Sequence, residues 1–168
     1  MAGSRFGLAL LVALVAFAAA QTPKKAPPRH TKVAVEDPAA AALAQAEDAI
    51  AKKDYAAAEG SLTQLTQQNP SNFQAWFDLG FVLNALGKTD DSIAGYRKSV
   101  AAKPDVFESN LNLGLMLARA GQPDAEQFLR AATKLKPTDK VDEGRARAWV
   151  SLGHVLEASK PDEALEAF

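Results

Sequence analysis

Residues 76–104, WFDLGFVLNALGKTDDSIAGYRKSVAAKP, predict two helices joined by one turn. Leu79 and Leu83 stand four residues apart, the spacing that places side chains on one face of a helix. Gly87 follows, and glycine readily adopts the positive φ with which many helices end. A second helical pattern then runs to Pro104, which ends it because proline lacks the amide proton. The stretch therefore predicts a helical hairpin.

Gly80 indicates how this hairpin closes. Glycine costs roughly 1 kcal/mol relative to alanine inside a helix, so a glycine between Leu79 and Leu83 needs a packing reason. We expect a second helix to approach closely at this position.

The hairpin pattern recurs along the chain with a period of 34 residues. A shift by one period aligns pairs of like residues: Leu79 with Leu113, Gly80 with Gly114, Leu83 with Leu117, Gly87 with Gly121 and Pro70 with Pro104. Such self-similarity predicts a solenoid, in which one unit buries its apolar face only by stacking on its neighbours.

The spacing Trp76-x-x-Leu79-Gly80-x-x-Leu83, followed by Tyr96 and Pro104, resembles a tetratricopeptide (TPR) repeat. The resemblance implies an all-α fold, a TPR-type α-solenoid of stacked antiparallel helix hairpins. Three full repeats and one partial repeat can be aligned, at residues 39–72, 73–106, 107–139 and 146–168. Residues 138–145, TDKVDEGR, form a charged insertion that predicts a surface loop, either a tolerated spacer or part of a binding face.

The N-terminal residues predict export. Residues 6–20 form an apolar run that follows Arg5 and ends in three alanines, which is typical of a signal peptide at residues 1–20. Lys24 and Lys25 follow closely and favour the alternative, an uncleaved inner-membrane anchor. Residues 21–38 are rich in proline and lysine and predict a disordered spacer. We expect a periplasmic or secreted protein, with membrane contact only if the N-terminal segment is retained.

The last helical pattern, at residues 161–168, is short and leaves Leu165 and Phe168 without a further repeat to cover them. We expect either that the natural array continues or that this C-terminal edge is covered by a partner, self-association included.

Composition points away from catalysis and from nucleic acid. The chain has 168 residues, a net charge of −1 and no cysteine. Its two histidines, His30 and His154, lie in no catalytic or metal-binding motif. We therefore expect no enzyme activity, no cofactor, no metal and no nucleic-acid partner.

The first helices of the hairpins supply a candidate peptide-binding groove. Their residues outside the packing pattern place apolar side chains one turn apart, with polar groups beside them. An alternative is that apolar residues such as Phe81 and Leu115 only complete the packing between repeats. The predicted groove residues are Gln74, Phe77, Asp78, Phe81, Asn84, Glu108, Leu111, Asn112, Leu115, Arg119, Arg147, Val150, Ser151 and His154.

TPR proteins that clamp a terminal carboxylate use lysine, arginine and asparagine in this groove. The matching positions here are Leu43, Glu47, Asp78 and Glu108, and only Asn112 agrees. The resemblance therefore implies a groove for an extended or helical apolar segment of a protein partner, with Arg119 and Arg147 available for an acidic flank.

These features together predict an exported, non-catalytic scaffold for protein–protein interaction. The alternative is a docking or multimerisation module of a larger envelope protein or enzyme. The sequence identifies no partner.

Overall fold

The computed structural model describes residues 37–168, and all of the regular elements in this range are α-helices. The predicted signal peptide and all but the last two residues of the predicted spacer lie outside the described residues. Consecutive helices pack on each other in chain order, which confirms the all-α solenoid of antiparallel hairpins. The helices are α1 Pro38–Ala51, α2 Tyr55–Gln68, α3 Phe73–Ala85, α4 Thr89–Ala102, α5 Phe107–Arg119, α6 Ala125–Lys134, α7 Val141–Leu156 and α8 Pro161–Ala167.

Glycines in the first helices allow the hairpins to close. A Cβ atom on Gly80 would lie 2.9 Å from Cδ1 of Tyr96, in the second helix of the same hairpin. A Cβ on Gly114 would likewise lie 2.7 Å from Cγ of Leu129. The close approach predicted at Gly80 is thus confirmed, and it recurs one repeat later.

The turns between paired helices share one backbone geometry. Gly87 and Gly121 have φ values of 76° and 67°, the left-handed backbone conformation with which many α-helices end. One repeat earlier the same position is Lys53, with φ 60°. In each turn the next amide returns to a carbonyl five residues back, for example Lys88 N to Leu83 O at 2.9 Å.

Helix starts differ from one repeat to the next. Asp54 and Asn72 accept hydrogen bonds from the backbone amides of Ala57 and Ala75, and so cap α2 and α3. In contrast, α4 follows Lys88 without a side-chain cap. The first turn of α4 contains Asp90 and Asp91, whose negative charges favour a helix N-terminus.

The core runs through the stack as three neighbouring clusters, centred on Leu62, Leu113 and Leu152. A buried hydroxyl pair joins two repeats: Ser99 Oγ lies 2.8 Å from Ser109 Oγ and donates to the backbone O of Phe73 at 2.9 Å. These bonds satisfy polar groups that would otherwise be costly to bury.

The predicted loop at residues 138–145 is partly helical, because α7 begins at Val141. Asp142 and Glu143 occupy the first turn of α7, where carboxylates are favourable. The turn also packs closely, since a Cβ on Gly144 would lie 2.9 Å from Cγ of Pro137. Packing and charge thus let α7 begin at Val141, five residues before the predicted start of the repeat at residue 146.

Surface charges link α6 to the start of the last helix. In α8 only Ala164 and Ala167 are buried. Glu126 of α6 accepts hydrogen bonds from Arg130 at 2.8 Å and from Lys160 at 2.7 Å, and Arg130 also pairs with Glu163 of α8.

Candidate functional site

Three adjoining cavities lie along or beside the inner face of the stack, which is the face formed by α1, α3, α5 and α7; the last of them also reaches the α5–α6 turn and α6. The largest, here called the inner cavity, has a volume of about 720 Å³ and is lined from Glu47 of α1 to Arg147 of α7. A bridging cavity of about 200 Å³ shares Asn112 and Arg147 with it. An end cavity of about 570 Å³ shares Leu115 and Arg119 with the bridging cavity. The shared residues show that the three cavities are neighbours, and together they are here called the depression.

Most of the residues predicted from the sequence line this depression. Those in the inner cavity are Gln74, Phe77, Asp78, Glu108, Leu111, Asn112 and Arg147. Those in the bridging cavity are Phe81, Asn84, Asn112, Leu115, Arg119 and Arg147. Those in the end cavity are Leu115, Arg119, Ser151 and His154. What the depression binds stays a prediction.

Two predicted groove residues have a different place in the fold. Leu111 is only 5% exposed and packs in the core cluster with Phe107 and Leu129, so it is part of the floor. Val150 is 43% exposed and lines none of the three cavities. Helix α7 turns Val150 away from the depression while placing Arg147, one turn earlier, inside it.

Two aromatic residues of α3, Phe77 and Phe81, pack against neighbouring helices and remain partly exposed. The ring of Phe77 meets that of Tyr96 edge-on, with centroids 5.6 Å apart. Phe81 is 39% exposed, and its ring lies 6.2 Å from that of Tyr55 in α2. Both rings therefore combine packing between helices with a surface that another apolar group can cover.

Several residues of the inner cavity went unrecognised in the sequence because they belong to helix ends and linkers. Phe73 lies at the start of α3, and its ring is covered by the ammonium of Lys103 at 4.8 Å. Thr138, in the linker before α7, donates its amide to Glu108 Oε1 at 2.7 Å. Glu108 therefore fixes the linker against α5, a contact between residues 30 positions apart that no local pattern indicates.

Asp78 carries the most perturbed carboxylate of the depression. Burial, and then the negative charge of Glu47, raise the pKa of Asp78 to about 6. Burial also raises the pKa of Tyr96; the charge of Asp78 adds to this effect and that of Arg147 opposes it. Asp78 and Arg147 therefore each lie within electrostatic reach of Tyr96.

His154 is exposed, with Nδ1 3.3 Å from Glu157 Oε1 and its ring edge-on to that of Phe168. Across residues 37–168 there is no group of three His, Cys, Asp or Glu side chains suited to a metal ion. Within the same range, no helix has both the length and the apolar character required to cross a membrane.

Comparison with known proteins agrees with this architecture. A 105-residue segment is 36% identical to Protein CTR9 homolog of Arabidopsis thaliana, covering 61% of this chain. The chain spans only 9% of that protein.

Solved structures match over most of the chain. MamA superposes with a TM-score of 0.67 at 19% identity, covering 78% of this chain and 69% of MamA. The Yersinia enterocolitica chaperone SycD, in complex with a peptide of the translocator YopD, superposes with a TM-score of 0.65 at 17% identity, covering 72% of this chain and 94% of SycD. At such identities the match concerns the fold alone.

The tetratricopeptide repeat family model matches the chain twice, over residues 43–106 and 83–140. These matches span the hairpins whose glycine and turn geometry repeat at 34 residues. The chain belongs to the tetratricopeptide repeat family.

Proposed function

We propose that this protein is a non-catalytic scaffold that binds a segment of a partner protein along the inner face of its repeats. The bound segment is extended or helical and presents apolar side chains to Phe77 and Phe81. Arg119 and Arg147 pair with an acidic residue that flanks the apolar part of the segment. Because stacked hairpins hold the surface in place, little ordering entropy opposes binding.

The observation that carries this proposal is that three neighbouring cavities follow one another from α1 to α7. Each offers apolar side chains beside polar groups. Protein recognition sites combine such surfaces, since apolar contact supplies free energy and polar groups supply orientation. The peptide complex of SycD, which shares the fold, is a precedent for segment binding by a protein of this architecture.

Site-directed crosslinking tests the proposal. The chain has no cysteine, so a single introduced thiol carries a photoreactive maleimide at one known position. Gln74→Cys places the label at the exposed edge of the inner cavity. Gln64→Cys, on the exposed surface of α2 outside all three cavities, is the matched control.

We expect illumination in an extract of the source cells to give a discrete adduct from position 74 and none from position 64. Phe77→Ala, added to the Gln74→Cys chain, should weaken that adduct while helicity stays unchanged. An adduct from position 64 alone would assign binding to the outer face and overturn the proposal.

We further propose that the protein is exported and that residues 1–20 are removed. The apolar run at residues 6–20 and the three alanines that end it support this. N-terminal sequencing after expression of the full chain in a bacterial host should give Gln21 in the periplasmic fraction. Met1 in the membrane fraction would support an anchor instead, and Met1 in the cytosol would contradict both.

A second candidate is a docking module within a larger protein. The curated relative favours it, because this chain matches only 9% of its length. A longer reading frame that includes these repeats, together with loss of the larger protein's assembly when they are deleted, would support this function.

A further inference from the structure

Tyr96 carries a hydroxyl group without a partner inside the fold. The residue is only 2% exposed, and its ring packs on Gly80 and meets the ring of Phe77 edge-on. Among residues 37–168, no hydrogen bond engages the Tyr96 hydroxyl. A buried tyrosine hydroxyl usually finds a hydrogen-bond partner, so its absence here needs an explanation.

The Tyr96 hydroxyl opens onto the bridging cavity. In the described part of the chain, every side-chain nitrogen or oxygen that is sealed from solvent within a buried or half-buried residue has a hydrogen-bond partner. The hydroxyl of Tyr96 has none, so it is an atom that solvent reaches. Of the three cavities, Tyr96 lines the bridging cavity alone. The hydroxyl is therefore a free donor at the surface of this cavity.

The lining of the bridging cavity includes two positive charges and no acidic residue. Arg119 comes from α5 and Arg147 from α7. Within the described residues, neither guanidinium takes part in an ion pair or a side-chain hydrogen bond. Burial and then the charge of Asp78 raise the pKa of Tyr96, while the charge of Arg147 opposes this rise. The hydroxyl thus keeps its proton, and Arg147 lies near enough to act on it.

The size and place of the bridging cavity suit one side chain. Its volume of about 200 Å³ is below the roughly 300–1,000 Å³ of pockets for drug-sized ligands. Phe81, Leu115 and Met116 give it apolar walls. The cavity shares residues with the inner cavity and with the end cavity, so it lies between them. A segment bound along the depression continues past it in both directions and places a side chain there, not a chain end.

We propose that the bridging cavity is a subsite for the side-chain carboxylate of an acidic residue within the bound segment. The Tyr96 hydroxyl donates a hydrogen bond to one carboxylate oxygen, and the guanidinium of Arg147 or Arg119 pairs with the other. This inference rests on the proposed function, and it makes a core residue, Tyr96, the group that selects the acid.

A carboxylate is favoured over an uncharged oxygen at this place. Hydrogen bonds to an ionised group are roughly twice as strong as those between neutral groups. A bound segment that covered Arg119 and Arg147 without an anion would leave two guanidinium groups unpaired and partly desolvated. Asp78, whose charge also acts on Tyr96, lines the inner cavity and not this one.

Phenylacetate is a direct probe of the subsite, because it joins a carboxylate to one apolar ring. Phenylacetamide has the same shape without the charge. In NMR titrations of the full chain, we expect phenylacetate to shift the amide signals of Leu115 and Met116. A ligand of this size should bind with a dissociation constant on the order of 1–10 mM. We expect the acid to bind about threefold to tenfold more tightly than the amide.

Tyr96→Phe removes the hydroxyl and keeps the ring that packs on Gly80. It should lower the affinity for phenylacetate about threefold to tenfold and narrow the preference for the acid over the amide. Tyr55→Phe, at the other tyrosine of the chain, is the matched control, because Tyr55 lines none of the three cavities. It should leave both affinities unchanged.

Arg147→Gln should narrow the preference for the acid in the same way, since it removes one positive charge from the cavity. Arg145→Gln is the matched control on the same helix, because Arg145 is exposed and lines none of the three cavities. It should keep the full preference for phenylacetate.

The outcomes separate this inference from the proposed function. Equal affinity for the acid and the amide, or an acid preference that survives both Tyr96→Phe and Arg147→Gln, would overturn the subsite. Absence of phenylacetate binding at concentrations on the order of 50 mM would also overturn it. In these cases crosslinking from position 74 still decides segment binding. Absence of that adduct, while phenylacetate binds with the expected preference, would contradict segment binding and support the carboxylate pocket.

Discussion

Gly80 and Gly95 bring the backbones of α3 and α4 into direct contact. A Cβ atom on Gly95 would lie 3.0 Å from Cα and 3.1 Å from N of Gly80. These are backbone atoms, which have little freedom to move aside. The crossing of this hairpin therefore depends on two glycines, one on each helix.

Gly95→Ala should lower the free energy of unfolding by about 1–3 kcal/mol, because the added methyl group forces the helices apart. Gly60→Ala is the matched control: a Cβ at that position in α2 meets nothing within 4 Å. It should raise stability by roughly 0.5–1 kcal/mol through helix propensity. Urea denaturation followed by circular dichroism measures both. Equal effects of the two substitutions would contradict the contact at Gly95.

Lys53 occupies a backbone conformation that glycine adopts at less cost. Its φ of 60° matches those of Gly87 and Gly121 at the same position of later repeats. Lys53→Gly should therefore stabilise the chain by up to roughly 1 kcal/mol, since a side chain is strained in this region. The reverse change, Gly87→Lys, should cost a similar amount. Thermal unfolding would contradict this account if Lys53→Gly lowered the midpoint.

The carboxyl of Asp78 should make stability depend on pH. Its pKa is raised from 3.8 to about 6 in the folded chain, so folding strengthens proton binding. The resulting stability is complete below the unfolded pKa and is lost as pH rises through about 6. Burial and then the charge of Glu47 raise this pKa, and the charge of Asp78 acts in turn on Tyr96.

Asp78→Asn removes this dependence. We expect the variant to be more stable than the parent at about pH 8 by roughly 1–2 kcal/mol, after allowance for partial solvent screening. The advantage should shrink toward pH 4. Urea titrations across this range measure the difference, and an advantage independent of pH would indicate a cause other than ionisation.

Glu126 should contribute a small stabilisation that depends on salt. Hydrogen bonds from Lys160 and then Arg130 lower its pKa, but all three side chains contact solvent. Glu126→Gln should cost less than about 1 kcal/mol at low ionic strength and almost nothing near 1 M salt. Denaturation at the two salt concentrations tests this, with Glu166→Gln as the exposed control. A cost that high salt leaves unchanged would show that packing, not charge, is lost.

The helices could be predicted because their signals are local. Leu79, Gly80 and Leu83 share one helix face, and Gly87 lies directly where the helix ends. Repetition at 34 residues then extended one hairpin to an array. Family membership followed from the same residues.

Contacts between repeats were harder to predict from the sequence. Trp76 Nε1 donates to Pro70 O at 2.9 Å, and Asn110 Nδ2 donates to Pro104 O at 2.8 Å, at equivalent positions. The hydrogen bond is the same although the two side chains differ, so a comparison of the repeat sequences does not reveal it. Trp149, at the corresponding place in α7, is instead 43% exposed.

The sequence predicted which helix face forms the candidate site, but not how deeply each of its residues is buried. The period placed Phe77 and Leu111 on that face, yet only the packing of α5 against α6 and α7 puts Leu111 in the core. The carboxyl of Asp78 is visible in the sequence, whereas the rise of its pKa comes from burial and then from the charge of Glu47 in another repeat. Burial and electrostatics arise from neighbours distant in sequence, and helical periodicity carries no information about them.

Because α8 buries only Ala164 and Ala167, we expect it to unfold locally without the rest of the stack. Directly after α8, the ring of Phe168 lies over Gly153 and meets the ring of His154 edge-on. When α8 opens, that ring leaves, and His154 loses one of its two supports at the end cavity. Amide hydrogen exchange should therefore be fastest in α8, and the shape of the end cavity should fluctuate with the opening of this helix.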